Sequence, residues 1–146
     1  MIYQLLLGST LIAATVVIHA LGTITAIPYL KRGARVAMGS RGNARRVEFV
    51  ILVVLWLFFL HTAQIWLWAA CYYYLSKLPD FETALYFSTV SYTTLGYGDI
   101  VLDRQWRLLS AVQAGNGILL FGWSTAFLFG VVRRVWEAEL SESTDS

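Results

Sequence analysis

The chain has 146 residues, of which 58% are hydrophobic and 14% charged, against about 25% charged in an ordinary soluble domain. A soluble fold made of helices apolar on every side is excluded because nothing would cover them. The single cysteine, Cys71, excludes an intrachain disulfide and any cysteine-based metal cluster. The formal net charge is only +2, so the placement of charge carries more than its total.

No Asp, Glu, Lys or Arg occurs from Met1 to Leu30, from Phe49 to Ser76 or from Leu108 to Val132. Each stretch exceeds the ~20 residues that cross a hydrocarbon core as a helix, so three membrane spans are predicted. The first runs from about Ile2 to Leu30, with Pro28 near its end. It lacks a basic leader, and its apolar run exceeds the roughly 7–15 residues of a secretory signal. It is expected to pack outside the second span, against lipid. The connection over 31–47 gathers Lys31, Arg32, Arg35, Arg41, Arg45 and Arg46, with no acid before Glu48. The positive-inside rule places it in the cytoplasm, leaving the N-terminus outside and the C-terminus cytoplasmic, where Arg133 and Arg134 agree. Gly33, Gly39, Ser40, Gly42 and Asn43 predict an irregular connection, part of which lies as an interfacial helix. Its cations suit anionic lipid headgroups. With no accompanying domain, a nucleic-acid role is not expected.

The second span covers about Arg46 to Ser76. Trp56, Trp66, Trp68, Tyr72, Tyr73 and Tyr74 lie along it, densest toward the outer end, and read as a belt at headgroup level. Cys71 reads as a small apolar residue there. After the turn Lys77–Asp80, Asp80 is an N-cap for a short helix over about Phe81 to Thr93. At ~1.5 Å per residue that helix is too short to cross, so it is re-entrant. Then comes Thr94-Leu95-Gly96-Tyr97-Gly98-Asp99. Glycine takes left-handed backbone angles at little cost, and a chain alternating between ordinary and left-handed residues turns successive carbonyls the same way. A row of carbonyls binds hard cations without water. Non-helical backbone at membrane depth needs a wall of protein. One chain has too few helices to build it, so a ring of chains is expected.

The third span covers about Trp106 to Trp136 and contains Gly115, Gly117, Gly122 and Gly130. Gln113, Asn116 and Ser124 read as interhelical hydrogen-bonding residues. The acidic, serine-rich tail 137–146 is predicted to be disordered. His19 and His61, on different helices, read as packing or hydrogen-bonding residues rather than as a metal site or a pH sensor. Thr89, Ser91, Thr93 and Thr94 read as structural hydroxyls, and no Ser-His-Asp set, phosphate loop or zinc spacing points to an enzyme. No span carries Arg or Lys at every third position, so strong voltage sensing is not expected.

The stretch Thr93 to Asp99, TTLGYGD, resembles the potassium-channel selectivity filter, whose usual core is TVGYG; Leu95 replaces the common valine and is expected to point back into the protein. The resemblance extends over about Phe49 to Val135. It implies an all-α membrane protein with three transmembrane helices plus a re-entrant pore helix and selectivity filter, tetrameric around a central pore, in a plasma (inner) membrane. Domain 1–30 is then an extra helix, 31–47 a cytoplasmic loop and 48–136 the pore domain. Potassium ions would be the permeant species, held by Thr94, Leu95, Gly96 and Tyr97 with Gly98, and Asp99 would stand at the outer mouth. The inner-helix glycines Gly117 and Gly122 resemble a hinge, against the simpler reading of close helix packing. Ile118, Phe121, Thr125 and Phe129 would line the cavity, with Phe129 as a constriction. No carboxylate lies in the ladder, which argues against calcium. Tyr97 in place of an acid argues against the non-selective variant of the fold. Two departures stand out. Val90 occupies a position where some relatives place an acid, and Tyr86 and Phe87 replace two tryptophans. A non-conducting subunit or a transporter-like component is the alternative.

Overall fold

A computed structural model describes residues 2–38, 43–75 and 78–144, with side chains described at 2–34, 44–75 and 78–135. Arg41 and the loop residues Gly39, Ser40 and Gly42 lie outside it, as do Lys77, Asp145 and Ser146. The described residues form four helices and no strand: α1 (Ile2–Met38), α2 (Asn43–Leu75), α3 (Phe81–Tyr92) and α4 (Arg107–Thr144). Three of them, α1, α2 and α4, are long and apolar enough to cross a membrane.

Two ends differ from expectation. Helix α1 does not stop near Leu30. It passes Pro28 and reaches Met38, so Lys31, Arg32 and Arg35 sit on its last turns rather than in an irregular loop. Proline removes one backbone bond, but Lys, Arg, Ala and Met are good helix formers, and extending a helix costs far less than nucleating one. The same reasoning covers α4, which runs past Trp136 to Thr144. Glu137, Ala138, Glu139 and Leu140 prolong it where disorder was expected.

Helix α1 lies in the groove between α2 and α4, not outside α2. Gly8 faces Leu109 and Val112, whereas Gly22 faces Leu60 and Gly33 faces Phe49. The residue order shows α1 running parallel to α4 and antiparallel to α2. The N-terminal end of α1 therefore sits at the 93–99 end of the molecule, where the Tyr3 ring meets Trp106 edge-on at 6.1 Å.

The interior is layered. At that end, Trp68, Tyr72, Ala84, Phe87, Leu102 and Leu109 form one apolar cluster. At the other, Phe49, Val53, Leu57, Leu60 and Val135 form a second. Trp68 and Tyr72 are fully buried, so the aromatic belt reading fails for them, while Trp66, Tyr73 and Tyr74 stay exposed. The Tyr72 hydroxyl explains its place inside: it donates to Gln113 Oε1 at 2.8 Å, and Gln113 Nε2 donates to Ser88 Oγ at 2.8 Å. Asn116 Nδ2 donates to Thr15 Oγ1 at 2.9 Å, joining α4 to α1. Gln113, Asn116 and Ser124 are thus the interhelical ties that their polarity predicted.

Helices α3 and α4 touch most closely at Gly117. A Cβ there would lie 2.0 Å from the Tyr92 carbonyl oxygen, a backbone atom that cannot swing aside. Gly115 and Gly122 have no such neighbour within 4 Å. Gly117→Ala is expected to destabilise the fold by at least about 1–3 kcal/mol through overpacking, whereas Gly115→Ala is expected to be neutral or stabilising by up to about 1 kcal/mol. Thermal unfolding in detergent measures both, and equal melting temperatures for the two variants would contradict the contact.

Candidate functional site

Helix α3 begins where Asp80 caps it. The carboxylate accepts from Thr83 N–H at 2.7 Å and from the Thr83 hydroxyl at 3.0 Å. The backbone bond from Thr83 holds the Asp80 carboxyl below its ordinary pKa. The helix ends at Thr93, and the next residues take over its last carbonyls. Thr93 N–H donates to Thr89 O at 3.0 Å, Thr94 N–H to Ser91 O at 3.1 Å, and Gly96 N–H to Val90 O at 3.2 Å. The loop is therefore held by its donors.

Its acceptors stay free. Among the described residues, no backbone hydrogen bond ends on a carbonyl from Thr93 to Asp99. The backbone alternates in sign: φ is +61° at Thr94, +56° at Gly96 and +78° at Gly98, with Leu95 and Tyr97 in ordinary conformations. Such alternation lets successive carbonyls face one side of the chain. The two glycines were legible from sequence. Thr94 was not, because a β-branched residue rarely accepts positive φ; it costs about 1–2 kcal/mol relative to glycine.

Leu95 and Tyr97 are exposed in the single chain, at 55% and 67%. Leu95 was expected to point back into the protein, but its own chain leaves it exposed and offers it no pocket. Behind the loop lies a cavity of about 190 Å³, lined by Phe87, Val90, Gly96, Gly98 and Ile100 among others.

Asp99 is tied to α3 by the Tyr86 hydroxyl, which donates to Asp99 Oδ2 at 2.7 Å. That bond lowers the Asp99 carboxyl below its ordinary 3.8 and raises the Tyr86 phenol above its ordinary 10.0. Tyr86 therefore anchors the aspartate, while Val90 is buried and offers no polar group.

On α4, Ile118, Thr125 and Phe129 are exposed on the face away from α1 and α2. Phe121 is partly drawn in, with its ring 4.4 Å from the His61 imidazole and 5.4 Å from Tyr92. Of the two glycines that resemble a hinge, Gly117 is committed to the Tyr92 carbonyl and Gly122 is open.

Sequence reading missed a buried polar ring one step below the loop. His19 Nδ1 lies 3.0 Å from Gln64 Nε2, and Tyr92 donates a short hydrogen bond to Gln64 Oε1. His61 Nδ1 lies 2.9 Å from the Tyr92 hydroxyl, and His61 Nε2 lies 2.8 Å from Ser124 Oγ. Ser124 Oγ lies 3.2 Å from His19 Nε2, which closes the ring. All four helices contribute. The only sequence signal was the presence of uncharged polar residues in spans that should be apolar.

The Asp99 contribution to stability is present above the unfolded carboxyl value of 3.8 and is lost as pH falls through the lower folded value. The Tyr86 contribution is present below 10.0 and is lost as pH rises through the higher folded value. Tyr86→Phe is expected to return the Asp99 carboxyl toward its ordinary range in a carbon-13 NMR titration; an unchanged titration would show that the phenol does not hold it.

A family model described as Ion channel matches residues 49–134, more than half of the chain. Neither a curated protein nor a solved structure gave a match. The matched segment takes in α2 from Phe49, α3, the 93–99 loop and α4 as far as Arg134, and it leaves α1 outside. With a membrane span on either side of a short helix and a loop of free carbonyls, the chain belongs to the ion-channel family of the two-membrane-helix potassium-channel type, carrying an additional apolar helix at its N-terminus.

Proposed function

We propose that the protein is a potassium-selective channel, passing K+ passively through a pore at the centre of four identical chains, with Thr94, Leu95, Gly96, Tyr97 and Gly98 as its selectivity filter. The observation that carries this is the alternating backbone at 94, 96 and 98 combined with carbonyls that accept no backbone bond. A dehydrated cation is very costly in a low-dielectric medium. Stacked carbonyl rings replace its lost water, and the Thr94 hydroxyl supplies the lowest one. Neutral oxygens suit a monovalent ion better than calcium, which favours carboxylates.

Helix α3 adds to this. Its C-terminal end feeds the loop, and the negative end of its dipole favours a cation by about 0.3–1 kcal/mol per chain. Asp99, held by Tyr86, adds negative charge at the outer mouth. The exposed Leu95 and Tyr97 support a ring of chains, because a neighbour's pore helix and loop would cover them. In the same ring Ile118, Phe121, Thr125 and Phe129 line the inner cavity, with Phe129 as the constriction. Bending of α4, where it occurs, centres on Gly122 rather than on the packed Gly117. The 93–99 loop faces outside, and both the α1–α2 connection and the C-terminal end of α4 face the cytoplasm. There Lys31, Arg32, Arg35, Arg41, Arg45 and Arg46 meet anionic headgroups.

Reversal potentials in planar bilayers with mixed potassium and sodium test this directly. A strong preference for potassium is expected. Gly98→Ala, which forces a Cβ onto a residue at φ +78°, and Tyr97→Asp are expected to bring the permeability ratio toward about 1. Unchanged reversal potentials in both variants would refute the filter assignment. A well-folded protein with no flux would favour a non-conducting subunit or a transporter-like component.

A further inference from the structure

Helix α1 leaves a groove on each side of its C-terminal half. On the α2 side, about 400 Å³ is enclosed by uncharged residues, Tyr29, Gly33, Leu52 and Trp56 among them. On the α4 side, about 480 Å³ is enclosed by α1, α4 and Phe49 of α2. This second groove differs in kind. Lys31 and Arg134 stand in its wall, every other lining residue is apolar, and no carboxylate lines it.

The sequence builds the second groove by register. Ile27, Leu30, Lys31 and Ala34 line it from α1, and Phe127, Gly130, Val131 and Arg134 line it from α4. Each set has the spacing i, i+3, i+4, i+7, which is one face of a helix, and the two helices run parallel. The two stripes therefore lie side by side over about 10 Å, at ~1.5 Å per residue. Small residues leave the space between them open: a Cβ added at Gly130 would meet nothing within 4 Å. The buried Phe49 closes the back of the groove. Gly130 is exposed, so the front opens to the surface of the chain.

An occupant of this groove must satisfy two demands. The apolar wall suits hydrocarbon. The two cations suit an anion at headgroup level, because a Lys or Arg near the end of a span lays its stem along apolar surface and holds its charge at the interface. Arg grips a phosphate through paired N–H groups, and Lys adds a point charge. An anionic phospholipid joins an apolar tail to a phosphate and carries net negative charge. A second copy of the chain fits less well. In the proposed ring of parallel chains, a neighbour brings the same end to the same height. That end carries Lys31, Arg32, Arg45, Arg46, Arg133 and Arg134 against Glu48, with Glu137 and Glu139 coming only beyond the last residue of the groove. Like charge would then face like charge.

We propose that one anionic phospholipid per chain occupies the groove between α1 and α4, with its tail along Phe127 and Gly130 and its phosphate held by Lys31 and Arg134. This gives the headgroup contact proposed above a defined place, pairing Lys31 of the basic cluster with Arg134 of α4. It also gives the additional helix a task, since α1 supplies Lys31 and one wall of the site. A lipid so placed fills the gap between α1 and the part of α4 beyond Gly122. The site belongs to a single chain; it rests on the reading of α1, α2 and α4 as membrane spans, and on neither the filter nor a current.

Native mass spectrometry of the full-length protein in detergent, titrated with dioleoyl phosphatidylglycerol or dioleoyl phosphatidylcholine, tests this. One phosphatidylglycerol per chain is expected, bound at least about tenfold more tightly than phosphatidylcholine. Lys31→Gln/Arg134→Gln is expected to weaken phosphatidylglycerol binding about 10–30-fold. Arg32→Gln/Arg45→Gln removes the same charge from exposed positions outside the groove and is expected to weaken it less than about threefold. Gly130→Phe, whose Cβ has no neighbour, is expected to fill the groove and abolish the preference for phosphatidylglycerol. Equal affinity for the two lipids would overturn the proposal. So would equal losses in the two double variants, which would mean diffuse attraction to the basic end. Binding kept in Gly130→Phe would equally overturn it, and if the complex of chains also came apart, a second copy would be the occupant. Binding is read by mass alone, so a protein that takes phosphatidylglycerol as expected yet passes no potassium would reject the channel reading and leave the lipid site standing.

Discussion

Inside hydrocarbon every polar group must find a partner within the protein, because water supplies none. This constraint organises the whole chain. The three spanning helices satisfy their own backbones. The uncharged polar side chains that interrupt them, Tyr72 with Gln113 and Ser88, Thr15 with Asn116, and the ring through His19 and His61, satisfy one another across helices. Exceptions among the described residues are few, with Trp68 Nε1 and Asn116 Oδ1 among them. Against that background the free carbonyls of residues 94–98 stand out. They accept no backbone hydrogen bond from their own chain, and the proposed function gives them a permeating cation as partner.

The additional helix α1 is integrated into the bundle. Its glycines at 8, 22 and 33 let α2 and α4 approach closely, which is how membrane helices gain dispersion contact when lipid is as apolar as their side chains. It then adds two polar anchors, Thr15 and His19, that reach α4. The two apolar clusters lie on either side of these anchors. Polar side chains of the matched ion-channel segment, Gln64, Asn116 and Ser124, thus meet their partners on a helix outside it.

Much of the architecture was legible in the sequence because the bilayer makes long apolar runs unambiguous. Asp80 marked the start of α3, and the glycines at 96 and 98 marked the reversal of backbone sign. What escaped was of two kinds. Helix ends moved because propensity at Arg35, Ala138 or Leu140 is a local matter that composition-based boundaries ignore. The roles of Trp68, Tyr72, His19 and His61 escaped because they depend on partners far away in sequence: Ser124 lies 105 residues from His19 and 63 from His61. No periodicity within one helix reports such a meeting. The positive φ at Thr94 was hidden by its residue type.

The central claim is that the bare carbonyls of the 94–98 loop are enclosed by copies of the same chain. Native mass spectrometry of the protein released from detergent measures this most directly. A complex of four chains is expected, held together more firmly in potassium than in sodium because the ion bridges the loops. A monomer, or a dimer that ignores the choice of cation, would contradict the claim.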